Sequence, residues 1–188
     1  SEVAVETRRQ YPDGPLLAHI LGYTGHIDGE TYARLRYKGY LQDDMIGKAG
    51  VEATFEEELR GTYGSELVER DATGRDIQVL RTASDAVPGA SLTLTIDRTI
   101  QKEATQALKW GMRAAGLKRG VVIVMNSQTG EVLVLVSLFS YDNNLFAKGI
   151  SKKDFDKLIK NRNQPLTNHA VQAHYPPGST FKLVAGTG

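Results

Sequence analysis

Two residues of this sequence have types and spacing suited to covalent chemistry, Ser179 and Lys182. They stand in the stretch Tyr175-Pro176-Pro177-Gly178-Ser179-Thr180-Phe181-Lys182-Leu183-Val184-Ala185. A serine hydroxyl becomes a useful nucleophile when a nearby base takes its proton, and an uncharged lysine amine is one such base. Residues three apart on a helix share a face, so the spacing lets hydroxyl and amine meet. The spacing is a weak signal by itself. With 9 serines and 11 lysines among 188 residues, chance gives about 0.5 Ser-x-x-Lys matches. Its context is stronger. Two prolines hold the approach extended, a glycine frees the turn, and the apolar run that follows has helical character. That run predicts a buried helix with its positive N-terminus beside an oxyanion at Ser179. The plainer alternative is an N-cap serine and a lysine that runs its stem along the surface.

The other chemical groups read as structural. His169 and His174 lie near Ser179 in sequence, but His174 precedes two prolines on an extended segment, and both read as loop histidines. His19 and His26 lack metal-site spacing, and no carboxylate or cysteine cluster joins them. Glu56-Glu57-Glu58 reads as a solvated helix face. Gly186-Thr187-Gly188 is no phosphate loop, since no Gly-Lys-Ser/Thr follows. No cofactor and no metal is implied.

Several elements must position the serine. Asp28 predicts an N-cap for a helix through about Tyr37, with Gly39 as its stop. A second helix is predicted over residues 50–60, with Val51, Phe55 and Leu59 inward. Glu66 to Arg81 reads as a hairpin turning at Ala72-Thr73-Gly74, and a short strand is predicted within residues 1–10. Thr82 to Ala90 reads as a linker. Beyond it, residues 91–96 alternate as a half-buried strand, and Asp97 caps a long helix. That helix carries an apolar stripe of Ile100, Ala104, Ala107, Leu108, Met112 and Ala115. Two strands, near 121–125 and 132–138, are apolar on both faces and so belong mid-sheet under helices. Tyr141 to Gly149 reads as a polar loop. Ser151 and Asp154 box a helix with Phe155, Leu158 and Ile159 inward. A long loop then delivers the chain to Ser179.

Composition narrows the class. The chain is 40% hydrophobic and 24% charged, with a net charge of +1. This is ordinary for a folded chain of one or two domains, and it gives no argument for nucleic acid as a partner. There are no cysteines, which excludes disulfides and thiol catalysis. No apolar run approaches the ~20 residues of a membrane span.

Beyond these residues lies a resemblance. Tyr175 to Lys182 resembles the active-serine segment of the penicillin-binding proteins. Arg9-Gln10-Tyr11-Pro12, Gly22-Tyr23, Gly47-Lys48-Ala49-Gly50-Val51-Glu52 and Leu59-Arg60-Gly61 resemble the pedestal, or dimerisation, domain of class B members. Leu92 to Asp97 with Gln101, Thr129 to Val132 and Asp142 to Phe146 resemble the opening of the transpeptidase domain. Gly149 to Phe155 and Pro165 to Asn168 are similar to the elongation-type enzymes. Asn126 stands where the family usually has aspartate, and His169 where it usually has arginine.

The resemblance implies an α+β fold: an elongated pedestal over residues 1–88, then the N-terminal part of a transpeptidase domain over 89–188. It implies a peptidoglycan D,D-transpeptidase in which Ser179 attacks the D-Ala-D-Ala bond of a stem peptide and Lys182 takes its proton. β-Lactams would acylate the same serine. It also implies one N-terminal membrane anchor, an extracytoplasmic domain and a glycan-polymerising membrane glycosyltransferase as partner. The family's Ser-x-Asn and Lys-Thr-Gly are absent after Ser179, so these 188 residues alone are expected to be inactive. An incomplete sheet with an open edge predicts a strand-paired or swapped homodimer, against which a monomeric mass at high concentration would count. Two other readings stay open: a non-catalytic scaffold module, and a relative of serine β-lactamases or β-lactam sensors. The long pedestal-like segment argues against the last.

Overall fold

The structure is a computed structural model that describes residues 9–70, 76–176 and 178–186, without the side chains of 66–70, 76–83, Thr180, Leu183 and Val184. In chain order the helices are α1 (Ala18–Leu21), α2 (Gly29–Leu35), α3 (Gly50–Thr54), α4 (Glu56–Arg60), α5 (Arg98–Ala114), α6 (Asn144–Ala147), α7 (Lys152–Lys160), α8 (His169–Gln172) and α9 (Lys182–Ala185). The strands are β1 (Thr24–His26), β2 (Met45–Gly47), β3 (Ser65–Arg70), β4 (Asp76–Ser84), β5 (Gly120–Met125) and β6 (Val132–Leu138). They pair as three antiparallel two-stranded sheets, β1–β2, β3–β4 and β5–β6. The mixed α+β class is as expected. The strand predicted within residues 1–10 lies outside the described residues apart from Arg9 and Gln10, and so does the turn at Ala72-Thr73-Gly74. The chain divides into two compact units, residues 1–95 with 141–156, and residues 96–140 with 157–188.

The first unit has a small apolar core of Ile27, Tyr40 and Ile46, covered by Tyr32 and Leu35. Asp28 caps α2 as expected, accepting the Thr31 N–H at 2.8 Å. The helix predicted over 50–60 is broken at Phe55 into α3 and α4. The break turns Phe55 outward, to 38% exposed, and sends Glu52 inward, to 7%. Electrostatic pairing, described below, outweighs apolar period there. Gly22 has φ +76, and a Cβ on it would lie 1.8 Å from the Ala49 carbonyl oxygen. Only glycine lets α1 and α3 approach that closely. The expected linker is tied down rather than free. Thr82 to Ser84 belong to β4, Thr62 and Val87 exchange backbone hydrogen bonds of 2.9 and 3.0 Å, and the Ala90 N–H donates to the Glu58 carbonyl.

Residues 141–156 also belong here, and the polar loop expected over 141–149 is in fact a buried hub. Tyr141, Asn143, Phe146 and Ala147 are all buried. The Tyr23 ring stacks on Phe146 at 4.0 Å, and Tyr141 meets both edge-on. Asn143 donates to the Gly22 carbonyl at 2.9 Å. Asn144 takes both backbone groups of Tyr11, accepting its N–H and donating to its carbonyl at 2.9 Å each. Polar side chains can line a core when each satisfies a backbone group that burial would orphan. The Ser151–Asp154 box opens α7 as expected. Phe155 and Ile159 are exposed there instead of inward, although Phe155 still sets its edge against Phe146.

The second unit is built on the β5–β6 hairpin. Asn126 makes its turn by accepting the N–H groups of Gln128 and Thr129. Met112, Val134, Val136 and Leu138 form the core with Ala104, Leu108 and Val122 against them. The long helix appears as predicted, with Asp97 accepting from the N–H groups of Thr99 and Ile100. Its buried stripe is rotated from the expected one. Ile100 is 45% exposed, while Gln101 is 1% exposed. The Gln101 carboxamide donates to the Leu135 carbonyl at 2.7 Å and accepts the Leu135 N–H at 2.9 Å. It thereby fills the free edge of β6. The strand expected over 91–96 does not form. The Asp97 N–H donates to the Leu133 carbonyl at 2.9 Å. Nor are β5 and β6 in the middle of a larger sheet among the described residues. The end of β5 is open, with Ile123, Val124 and Met125 all exposed.

Candidate active site

Ser179 and Lys182 lie in the second unit. Ser179 is in a 3-10 turn, Gly178–Phe181, and Lys182 opens the single helical turn α9. Gly178 takes φ +57 with open space around it, a left-handed step suited to glycine. A 3-10 turn has three residues per turn, so side chains at i and i+3 eclipse. Lys182 follows that turn, three residues after Ser179.

The surroundings differ from the expectation. Both residues are exposed, and among the described residues neither makes a side-chain hydrogen bond or ion pair. Tyr175 and Phe181 are 61% and 56% exposed. The lysine is therefore not buried. The predicted helix is reduced to one 3-10 turn and one α-helical turn. Such short pieces are stable only when packed, and they sum little dipole at Ser179. Ser179 and Lys182 thus lie on an exposed segment, whereas acyl transfer needs a water-excluded site with donors aimed at the oxyanion.

The nearby histidines separate. His174 is exposed. His169 is 3% exposed, with its N–H on the Ser137 hydroxyl at 3.0 Å and its ring Nε2 3.4 Å from the Asn163 carbonyl. It opens α8 rather than lying in the expected loop, and it ties that helix to β6. Among the described residues no group of three or more metal-ligating side chains gathers.

The buried polar centre that residue types alone did not reveal lies in the first unit. Glu52 accepts from Arg9 at 3.0 Å and from the Tyr11 hydroxyl at 3.2 Å. Burial, and next the Glu52 charge, push the Tyr11 phenol up to about 12. Nearby on α4, Glu56 accepts the Gly47 N–H at 2.7 Å and is half-buried rather than solvated, so burial raises its carboxyl. Arg60 lies 3.7 Å over the Tyr40 ring and 3.5 Å from Asp44, which accepts from the Tyr63 hydroxyl at 2.6 Å. Arg9, Asp44, Glu52, Glu56, Arg60 and Tyr63 line an open groove of about 730 Å³. The signal was in the sequence, since Arg9 to Tyr11 and Glu52 fall in the two segments that resemble the pedestal.

Comparison with known proteins finds two family domains in the chain. Residues 2–94 match the penicillin-binding protein dimerisation domain, and residues 120–186 match the penicillin-binding protein transpeptidase domain. The chain is 41% identical to the peptidoglycan D,D-transpeptidase MrdA of Acinetobacter baumannii, across 99% of this chain and 27% of that protein. It therefore spans about a quarter of the length of that relative. Among solved structures it is similar to PBP2 of Pseudomonas aeruginosa, in complex with WCK 5153. That match has a TM-score of 0.75 and 36% identity, covering 95% of this chain and 34% of that one. It is also similar to PBP2 of Helicobacter pylori in its complex with MreC. There the TM-score is 0.78 at 31% identity, covering 95% of this chain and 32% of that one.

Proposed function

The chain belongs to the penicillin-binding protein family, and from that premise we propose that its protein is a peptidoglycan D,D-transpeptidase of the elongation type, with Ser179 as nucleophile and Lys182 as general base. The single observation that carries the reading is the two-domain match in order, with a Ser-x-x-Lys turn inside the transpeptidase part. Residues 1–88 are taken as the pedestal and 89–188 as the first portion of the catalytic domain. In the proposed reaction the Ser179 Oγ attacks the carbonyl of the penultimate D-Ala while Lys182 accepts its proton. The Oγ–acyl bond forms, the peptide bond breaks, and D-Ala leaves with a proton on its amine. An amine of a neighbouring stem then attacks the ester, and the serine is restored. The scissile carbonyl needs hydrogen-bond donors that the exposed Ser179 turn does not supply. We therefore assign those donors, with the Ser-x-Asn and Lys-Thr-Gly groups, to the rest of such a domain.

The test is acylation by a fluorescent penicillin. A chain extended to the length of its relatives should label on Ser179 and lose all label in Ser179→Ala. Absence of label in the extended protein, or label that survives Ser179→Ala, overturns the reading. The 188 residues alone should stay unlabelled.

For the first unit a partner role is favoured by its groove of paired charges and by the MreC complex of the Helicobacter pylori relative. We propose that a membrane-associated partner of this kind, and a glycan-polymerising glycosyltransferase, meet the protein outside a membrane to which a single helix anchors it. Among the described residues no helix is long and apolar enough to cross a membrane. The open β5 edge at 123–125 keeps a strand-paired homodimer as a further proposal.

A further inference from the structure

The outward face of α5 takes no part in the chemistry above, and its composition is unlike that of the rest of the chain. Residues 98–119 hold six basic residues, Arg98, Lys102, Lys109, Arg113, Lys118 and Arg119, against one acid, Glu103. The whole chain has a net charge of only +1, so the remainder is net acidic. The helix buries Gln101, Thr105 and Met112. Trp110 lies on the opposite side and is 74% exposed. Lys102, Gln106, Lys109 and Arg113, at i, i+4, i+7 and i+11, form one exposed stripe beside it, about 16 Å long at 1.5 Å per residue. Among the described residues Lys102, Lys109 and Arg113 have no ion pair.

An indole left this exposed, alongside unpaired cations, needs an explanation. Isolated apolar residues at a surface are ordinary. Trp with Arg and Lys on one rigid face is the composition of a contact surface, because the ring offers flat area at small entropic cost. The charge requires an anionic partner. A bilayer would need an apolar helix face to insert. Here Thr99, Glu103 and Gln106 share the outward face with Trp110. These groups suit hydroxyl-rich sugar, the indole suits the C–H face of a pyranose ring, and the cations suit carboxylates.

We propose that this face of α5 is a docking surface for the peptidoglycan polymer itself, a glycan bearing carboxylate-ended peptides. The identity of the polymer rests on the proposed function. The surface would keep a strand close while its stem peptides are exchanged at the serine.

The test uses a built-in reporter, since Trp110 is the sole tryptophan of the chain. Soluble glycopeptide strands released from sacculi are titrated into the 188-residue chain. Tryptophan emission should shift to the blue and acrylamide quenching should fall. Trp110→Ala, assayed by sedimentation with intact sacculi, should weaken binding about tenfold, and the Lys109→Glu/Arg113→Glu pair should weaken it at least as much and remove its salt dependence. Both variants change exposed side chains, and far-ultraviolet circular dichroism confirms their fold. Unchanged emission at saturating strands overturns the proposal. So does equal binding of heparin that ignores Trp110→Ala, which would indicate a mere polyanion site, or preferential binding of anionic phospholipid vesicles. Penicillin labelling of Ser179 in the extended protein is independent of all these results, so failure of one reading leaves the other standing.

Discussion

Glu52 and Lys182 are both charged residues in segments that the sequence marks as special, and they end in opposite surroundings. Glu52 is 7% exposed and held by Arg9 and Tyr11 from more than forty residues away in sequence. Lys182 is exposed and, among the described residues, touches no partner. The first unit pairs buried polar side chains with groups far away in sequence, as at Glu52 and Asn143. The second packs its apolar core between α5 and the β5–β6 hairpin and leaves Ser179 and Lys182 outside it. A serine and a lysine three residues apart are therefore compatible with a locally open chain. Making them reactive is a separate task, done by walls and donors that lower the cost of charge at the serine.

The units nonetheless share one device. In each, a carboxamide takes both the N–H and the C=O of a single residue. Asn144 does this for Tyr11, and Gln101 does it for Leu135. Such a clamp is rigid and depends on shape, so it is broken by changes that leave size nearly untouched.

The largest effect should come from the tightest backbone approach. Gly22→Ala places a methyl group 1.8 Å from the Ala49 carbonyl oxygen and keeps φ at +76. Strain and overpacking together should cost about 3 kcal/mol or more. Urea unfolding followed by amide circular dichroism should lose its first-unit transition, while α5 and the hairpin persist. If the first unit is stable with alanine there, the close packing of α1 on α3 is not what holds it. Gln101→Leu should come next. It keeps volume and adds apolar character, yet it strands the Leu135 N–H and C=O, at about 2–4 kcal/mol. Hydrogen exchange at Leu135 should accelerate in parallel. A stable variant would show that the expected apolar stripe through Ile100 can take over.

Those two variants also mark what the sequence made legible. The span and cap of α5 and the β5–β6 hairpin follow from period and turn chemistry, which are local. The face that α5 buries does not, because Gln101 outcompetes Ile100 only when the free edge of β6 lies beside it. The hub at 141–147 was hidden for the same reason. Asp142, Asn143 and Asn144 carry a loop-like composition, and only the distant Tyr11 and Gly22 turn them into core. The serine and lysine were legible as a pair, and the resemblance gave them roles. Their exposure was not legible, since the apolar residues after Ser179 predict burial wherever a packing surface exists.

The smallest effects sharpen the comparison within the first unit, and pH separates them. Asp28 accepts the Thr31 N–H and pairs with Lys48, so its carboxyl is held below the usual range. Its folded value is depressed, and its contribution is present above the unfolded value of about 3.9 and disappears as pH falls through the folded one. Glu56 is shifted the other way by burial. Its folded value is raised above the unfolded value of about 4.3, so the ionised form costs stability at neutral pH, and that cost vanishes as pH falls through the folded value. Asp28→Asn should therefore destabilise at pH 7 and converge on the parent in acid. Glu56→Gln keeps an oxygen for the Gly47 N–H, and it should stabilise slightly at pH 7 and likewise converge in acid. Urea midpoints measured across that range check both signs. A loss of stability in Glu56→Gln at neutral pH would mean that the attraction of Arg60 exceeds the burial penalty. The charges of the groove would then be net favourable to the fold, leaving less reason to assign them to a partner.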